Sequence, residues 1–180
     1  VLRTAQTTVN GSGSLTIEAG SVIKLQGTFH GNQGMLRADR PMTISGTAAD
    51  PVIFTSLKDD TVGGDTNNDG GASAPARGDW QGVLMLAGGS ISHTALRYAG
   101  LANGNIVPWS ALYTSGSAGS LNDVEFTSSS AVGWYTANNA TLTNGKFYDN
   151  ATQGAYVESG ASSTMTAVEF ARNGAQGLYV

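Results

Sequence analysis

Apolar and polar positions recur in a fixed order through the last third of the chain. With Phe126, Phe147 and Phe170 placed in one column, the stretches 121–136, 142–157 and 165–180 align without a gap. Leu121, Leu142 and Met165 then share a column, Gly133, Gly154 and Gly177 another, and Tyr135, Tyr156 and Tyr179 a third. Inside each stretch the residues alternate. Val124 and Phe126 flank Glu125, Gly145 and Phe147 flank Lys146, and Val168 and Phe170 flank Glu169. Alternation with a period of two marks strands, and the i, i+3, i+4 stripe of a helix is absent. A repeat of roughly 22 residues has room for three short strands and three turns, and such a unit buries its apolar face only against its neighbours.

Earlier parts of the chain carry the same pattern more loosely. Ile91 and Leu96 repeat the spacing of Leu121 and Phe126, and Leu112-Tyr113-Thr114 matches Trp134-Tyr135-Thr136. An insertion, roughly 100–109, separates these two halves. Leu15-Thr16-Ile17, Val22 to Leu25, Met42-Thr43-Ile44 and Val52 to Thr55 read as further strands, and Val83 to Ala87 reads as a buried one. The fold expected is all-β: a right-handed parallel β-helix (β-solenoid) of about five to six coils. It forms a single domain over 1–180, with an Asp/Gly-rich loop insertion over about 57–79. The leucine and asparagine pattern of leucine-rich repeats is missing. Stacked coils imply ladders of like positions about 4.8 Å apart. Glu125, Lys146 and Glu169 would form an outward column of alternating sign, and Asp149 would face Arg172. Asn150 and Asn173, with Ser129 above them, would occupy a turn, where Asn tolerates a left-handed backbone.

Composition narrows the class. Charged residues make up 12% of the 180, Gly numbers 25, and Cys is absent. A disulfide framework, a cysteine zinc site and a thiol nucleophile are therefore excluded. The net charge of -4 lacks the basic footprint of a nucleic-acid binder. No apolar run approaches the ~18 residues of a membrane-spanning helix. Val1 and Val180 read as positions inside a longer chain, and neighbouring coils or another subunit are expected beyond Val180, where a last strand would otherwise leave an unpaired edge.

Two stretches carry a resemblance. Leu15 to Leu25 reads LTIEAGSVIKL, and Asp50 to Trp80 reads DPVIFTSLKDDTVGGDTNNDGGASAPARGDW. Both resemble segments of bacterial cell-surface and secreted right-handed β-helix proteins of the pectate-lyase-like superfold. The resemblance implies architecture and an extracellular or cell-surface setting. It does not imply one activity, since the superfold includes polysaccharide lyases and hydrolases, tailspikes, adhesins and non-catalytic surface proteins.

The sharpest local signal is Asp65-Thr66-Asn67-Asn68-Asp69-Gly70, which matches the first half of an EF-hand-type calcium loop. Asp59, Asp60 and Asp79 could add oxygen ligands. The loop's twelfth position is Ala76, where a bidentate Glu would sit, so a solvated Asn/Asp/Gly turn is the competing reading. Catalysis needs convergent titratable groups. Glu125, Lys146 and Glu169, Asp149 with Arg172, and Asp123 and Glu158 read better as neutralising surface charge, and His30 and His93 as surface or turn residues, so no catalytic residue is assigned. Tyr113, Tyr135, Tyr156 and Tyr179 form an outward column that reads as a stabilising aromatic ladder, with glycan binding the alternative. A flat Thr-x-Thr array of the kind an ice-binding face requires is not evident. The function expected is a non-catalytic structural or adhesive segment of a bacterial surface protein, with calcium as cofactor and a polysaccharide or another surface protein as partner. The alternatives are a carbohydrate-active enzyme or a carbohydrate-binding module on the same fold.

Overall fold

A computed structural model describes residues 2–4, 6–27, 34–102, 109–116 and 119–180. His30 and most of the 100–109 insertion lie outside the described residues. Eighteen strands follow one another: β1 (Leu2–Thr4), β2 (Gln6–Val9), β3 (Leu15–Glu18), β4 (Val22–Leu25), β5 (Met35–Ala38), β6 (Met42–Ser45), β7 (Val52–Ser56), β8 (Gly82–Met85), β9 (Gly89–Arg97), β10 (Ser110–Thr114), β11 (Gly119–Thr127), β12 (Val132–Thr136), β13 (Ala140–Thr143), β14 (Lys146–Tyr148), β15 (Ala155–Val157), β16 (Thr164–Thr166), β17 (Glu169–Ala171) and β18 (Leu178–Tyr179). Among the described residues there is no helix, and every strand pairing is parallel.

The pairings fall into three columns that the chain visits in a repeating order. The first contains β3, β6, the front of β9, the front of β11, β13 and β16. The second contains β1, β4, β7, the back of β9, the back of β11, β14 and β17. The third is a seven-stranded sheet of β2, β5, β8, β10, β12, β15 and β18. The expected registers hold: Leu121 pairs with Ile91 and Leu142, Phe126 with Leu96 and Phe147, and Tyr113 with Tyr135. The strands β1, β2 and β5 carry no alternation strong enough to be read from sequence, and they add to the rounds counted there.

In the last four rounds one left-handed residue folds the first column against the second. His93, Asp123 and Asn144 occupy this corner with φ of 43°, 52° and 54°, followed by Ala167 at 53°. His, Asp and Asn are the non-glycine types most tolerant of that backbone. A second corner, after the second column, places Tyr98, Ser128, Asp149 and Arg172 at φ of 53–63°. This corrects the reason expected for Asn150 and Asn173. Each follows the left-handed residue, and its job is hydrogen bonding between rounds. Asn150 is buried, and its Nδ2 donates to Phe126 O at 3.2 Å and to Asn173 Oδ1 at 2.9 Å, while its Oδ1 accepts from Ser129 N at 3.1 Å. Asn173 Nδ2 in turn donates to Phe147 O at 3.0 Å.

A single apolar cluster draws on all three columns, including Ile44, Ile91 and Leu142 from the first, Phe54 and Phe126 from the second, and Leu112 and Trp134 from the third. Phe126 and Phe147 stack at 4.7 Å, and Phe147 and Phe170 at 5.0 Å. The glycine column explains itself here. A Cβ on Gly154 would lie 2.7 Å from Gly177 O, 2.8 Å from Phe170 Cδ1 and 2.9 Å from Phe147 Cβ, so the phenylalanine ladder leaves space only for glycine beside it.

The long β7–β8 connection is tied onto the second column. Lys24, fully buried on β4, donates to Gly64 O at 2.5 Å. Thr55 donates to Asp59 and Ser56 to Asp79, each at 2.6 Å, and Lys58 pairs with Asp79 at 2.8 Å. Trp80 then returns the chain to the core, its Nε1 donating to Arg97 O at 2.8 Å.

Phe147→Ala should cost about 3–5 kcal/mol in denaturant unfolding, as expected for a buried aromatic removed from a close-packed column. Gly154→Ala should also destabilise, by about 1–3 kcal/mol, because the added methyl must displace backbone and ring atoms. A neutral Gly154→Ala would contradict the packing described.

Candidate functional site

Three carboxylates converge in the β7–β8 connection. Asp60, Asp65 and Asp69 place one oxygen each within 4.8 Å of one another. The turn that brings them together is built by the carboxylates themselves. Asp65 accepts from the N–H groups of Asn68, Asp69 and Gly70, and Asp69 accepts from those of Gly71, Ala72 and Ser73. Gly70 takes φ of +66°, the sharp turn expected at that position. The Ser73 hydroxyl and these backbone donors hold the Asp69 carboxyl below its usual range. Asn67 Nδ2 donates to Asp69 Oδ2 at 2.7 Å and to Ser73 Oγ at 3.0 Å, which turns its Oδ1 the other way.

Three buried oxygens in this turn have no hydrogen-bond partner: Asp60 Oδ1, Asn67 Oδ1 and Thr66 Oγ1. Buried polar atoms are normally paired, so unpaired ones call for an explanation. Thr66 was not singled out by sequence reasoning, and a threonine inside a turn gives no signal that would have marked it. The other acidic candidates are engaged elsewhere. Asp59 is buried and accepts from Thr55 and Thr61. Burial pushes its carboxyl up, but those hydrogen bonds outweigh it and leave the group lowered. Asp79 is held by Lys58, Ser56 and the Ala76 N–H. Ala76, at the twelfth loop position, contributes backbone groups alone, its N–H to the Asp79 carboxylate and its carbonyl to the Asp79 N–H, and the third carboxylate comes instead from Asp60, upstream of the motif.

The tyrosine column is a continuous stack. Tyr135 and Tyr156 lie 4.6 Å apart at 5°, Tyr156 and Tyr179 4.7 Å apart at 18°, and Tyr113 and Tyr135 5.7 Å apart at 45°. Sugar rings bind aromatic faces, and here the faces of the inner rings are occupied by one another. The charged column shows a similar self-sufficiency. Lys146 pairs in register between Glu125 and Glu169, and Arg172 grips Asp149 through two hydrogen bonds of 2.9 and 2.8 Å. His93 Nδ1 lies 3.7 Å from Asp123 Oδ2, across the corner where both residues sit.

Register brings hydroxyl side chains together on the first column. The outward positions of the first column are Thr16, Thr43, Ser90, Ser120, Thr141 and Thr164 in one line, and Glu18, Ser45, Ser92, Asn122, Thr143 and Thr166 in a second line two residues along. Within these lines Thr-x-Thr occurs only at Thr141/Thr143 and Thr164/Thr166, so no regular Thr-x-Thr array is present, while Thr or Ser fills both positions in four of the six strands. The residues are separated by unequal stretches of chain, one of them holding the whole 57–79 loop, so no fixed period in the sequence reveals the shared face.

Comparison of the chain with protein-family models, with curated proteins and with solved structures found no match.

Two phenols carry a pH signature. Tyr135 is pushed up to about 12 by burial, by Glu158 and by the neighbouring Tyr156, and Tyr148 to about 12 by burial and its hydrogen bond to Glu125. The fold favours the protonated form of each, so this part of the stability is complete below the ordinary tyrosine value of 10.0 and is lost as pH rises from there to about 12. Phenolate absorbance at pH 11 should show these two tyrosines still protonated, and Tyr148→Phe should remove one of the late-titrating groups. Ionisation of all tyrosines together near pH 10 in folded protein would contradict the burial of these rings.

Proposed function

We propose that the chain is a segment of a right-handed parallel β-helix that serves outside a bacterial cell as a non-catalytic structural or adhesive element. The observation that carries this reading is the unbroken order of the three columns, with like side chains stacked in register around one apolar cluster. Parallel crossovers within a sheet are right-handed in about 98% of cases, which supports the hand. The chemistry of the exposed faces supports the absence of catalysis. Tyrosines stack on tyrosines, Arg172 neutralises Asp149, and the acidic side chains outside the loop are spread along columns and do not converge on a cleft. The extracellular setting rests on the resemblance of Leu15 to Leu25 and Asp50 to Trp80 to surface and secreted β-helix proteins, and on a cysteine-free, weakly charged composition.

Calcium is the cofactor this reading assigns to the β7–β8 connection. Asp60, Asp65 and Asp69 would hold it, and Asp60 Oδ1 is a buried oxygen without a hydrogen-bond partner. An all-oxygen set containing three carboxylates suits a hard divalent cation, and no His or Cys is present in the cluster to favour a softer one. A bound cation would relieve the crowding of three negative charges and fix the connection against the second column.

Two measurements test the proposal. Incubation with a panel of neutral and acidic polysaccharides should release no reducing ends and no unsaturated products. Turnover that disappears in Glu125→Gln or Lys146→Ala would establish an enzyme and overturn the non-catalytic reading. Calcium should raise the melting temperature, by about 2.7 kcal/mol of added stability at a hundred times its dissociation constant. Asp60→Asn should reduce that gain, and Asp65→Ala with Asp69→Ala should abolish it. Identical melting curves in calcium and in chelator would reject the site.

A further inference from the structure

The geometry points to the outward face of the first column as an ice-binding surface, a role independent of the calcium reading. Six strands, β3, β6, β9, β11, β13 and β16, present two adjacent lines of side chains in strict register. One line, Thr16, Thr43, Ser90, Ser120, Thr141 and Thr164, is composed of hydroxyls alone. The other carries Ser45, Ser92, Thr143 and Thr166, with Asn122 in the middle and Glu18 at one end. Parallel strands set neighbouring members of a line about 4.8 Å apart, and the two lines about 6.6 Å apart. Six strands at that spacing extend about 24 Å. The result is one unbroken line of free hydroxyls and, beside it, a second line in which Ser92 Oγ donates to Gly46 O at 3.2 Å and Asn122 Nδ2 to Asp123 Oδ2 at 2.9 Å, with a methyl beside each threonine hydroxyl.

Three properties select the occupant. The first is charge: Glu18 is the sole ionisable side chain in either line, so nothing on the face calls for a charged partner. The second is the state of the hydroxyls. Among the described residues, those of Thr16, Thr43, Ser90, Ser120, Thr141 and Thr164 make no hydrogen bond to protein, and every one of these residues is at least partly exposed. The third is what the face lacks. A neutral polysaccharide exchanges its own hydration for protein hydroxyls at little net gain, and needs an aromatic platform or forked polar groups to bind well. The stacked tyrosines, Tyr113, Tyr135, Tyr156 and Tyr179, lie on the third column. An array that repeats in both directions, at about 4.8 and 6.6 Å, can instead hold its waters in a lattice. The occupant this face fits is ice itself.

The array is backed by the interior. Ile17, Ile44, Ile91, Leu121, Leu142 and Met165 stack directly between the two outward lines, all large and apolar. Side-chain ladders of this kind hold parallel sheets flatter than usual.

The test is partition into a slowly growing ice hemisphere, together with inhibition of ice recrystallisation. Wild-type protein should enter the ice and restrain grain growth. The variant Thr43→Lys with Thr141→Lys places bulk and charge in the middle of the grid and should be excluded from ice, with its melting temperature retained. Gln176→Lys, an exposed position outside the first column, should behave as wild type and controls for charge. The proposal is overturned if wild-type protein is excluded from ice, or if the natively folded double-lysine variant still enters it. Retention on insoluble neutral polysaccharide in place of ice, lost in the same variant, would assign the face to a glycan and overturn the proposal equally.

Discussion

Each strand in the protein hydrogen-bonds to its equivalents in the rounds before and after it, which fixes like positions about 4.8 Å apart. Every ladder follows from what a side chain can do with a copy of itself, or a close relative, at that distance. Phenylalanine and tyrosine rings stack. Buried asparagines bond to each other and to the backbone of the adjacent round. Glutamate cannot sit on glutamate, so Lys146 separates Glu125 from Glu169. Where the ladder is a ring wide enough to fill the interior, the facing column is restricted to Gly133, Gly154 and Gly177.

The β7–β8 connection departs from this economy of repetition. It covers Lys24, a fully buried ammonium for which the recorded hydrogen bond is a single backbone carbonyl, Gly64 O. Burying a charge with so little compensation is unfavourable unless the surroundings are strongly polar. The same connection carries the Asp-rich turn. Its carboxylates are arranged by backbone donors before any ligand arrives, which is how a loop with few apolar contacts keeps a defined shape.

The sequence disclosed the part of the fold in which the rounds are of equal length. From Leu121 onward the spacing is regular, and the columns of Phe, Gly and Tyr could be aligned by eye. The strands β1, β2 and β5 escaped because nothing repeats around them at a fixed interval. The hydroxyl array escaped for a related reason: Ser and Thr are abundant throughout, and only the pairing register shows which of them share a face. At the candidate metal centre, Asp65, Asn67 and Asp69 were legible because their spacing is local. The separation of Asp60 from Asp59 was not legible. Two neighbouring aspartates look alike in sequence, and the fold turns one toward Thr55 and Thr61 and the other toward the cluster. The role of Asn150 was misread because the left-handed residue precedes it, a one-residue offset that composition cannot resolve.

The register itself is the central claim, and the absence of cysteine allows it to be measured without background. Thr141 and Thr164 are direct partners on β13 and β16, while Ser120 lies one strand further away on β11. Disulfides form readily across about 4.4–6.8 Å between Cα atoms. Under mild oxidation, Thr141→Cys with Thr164→Cys should form an intramolecular disulfide quantitatively in folded protein, and Ser120→Cys with Thr164→Cys should remain reduced. Bridging of the distant pair with no bridging of the adjacent one would contradict the register, and with it the account of every ladder that depends on it.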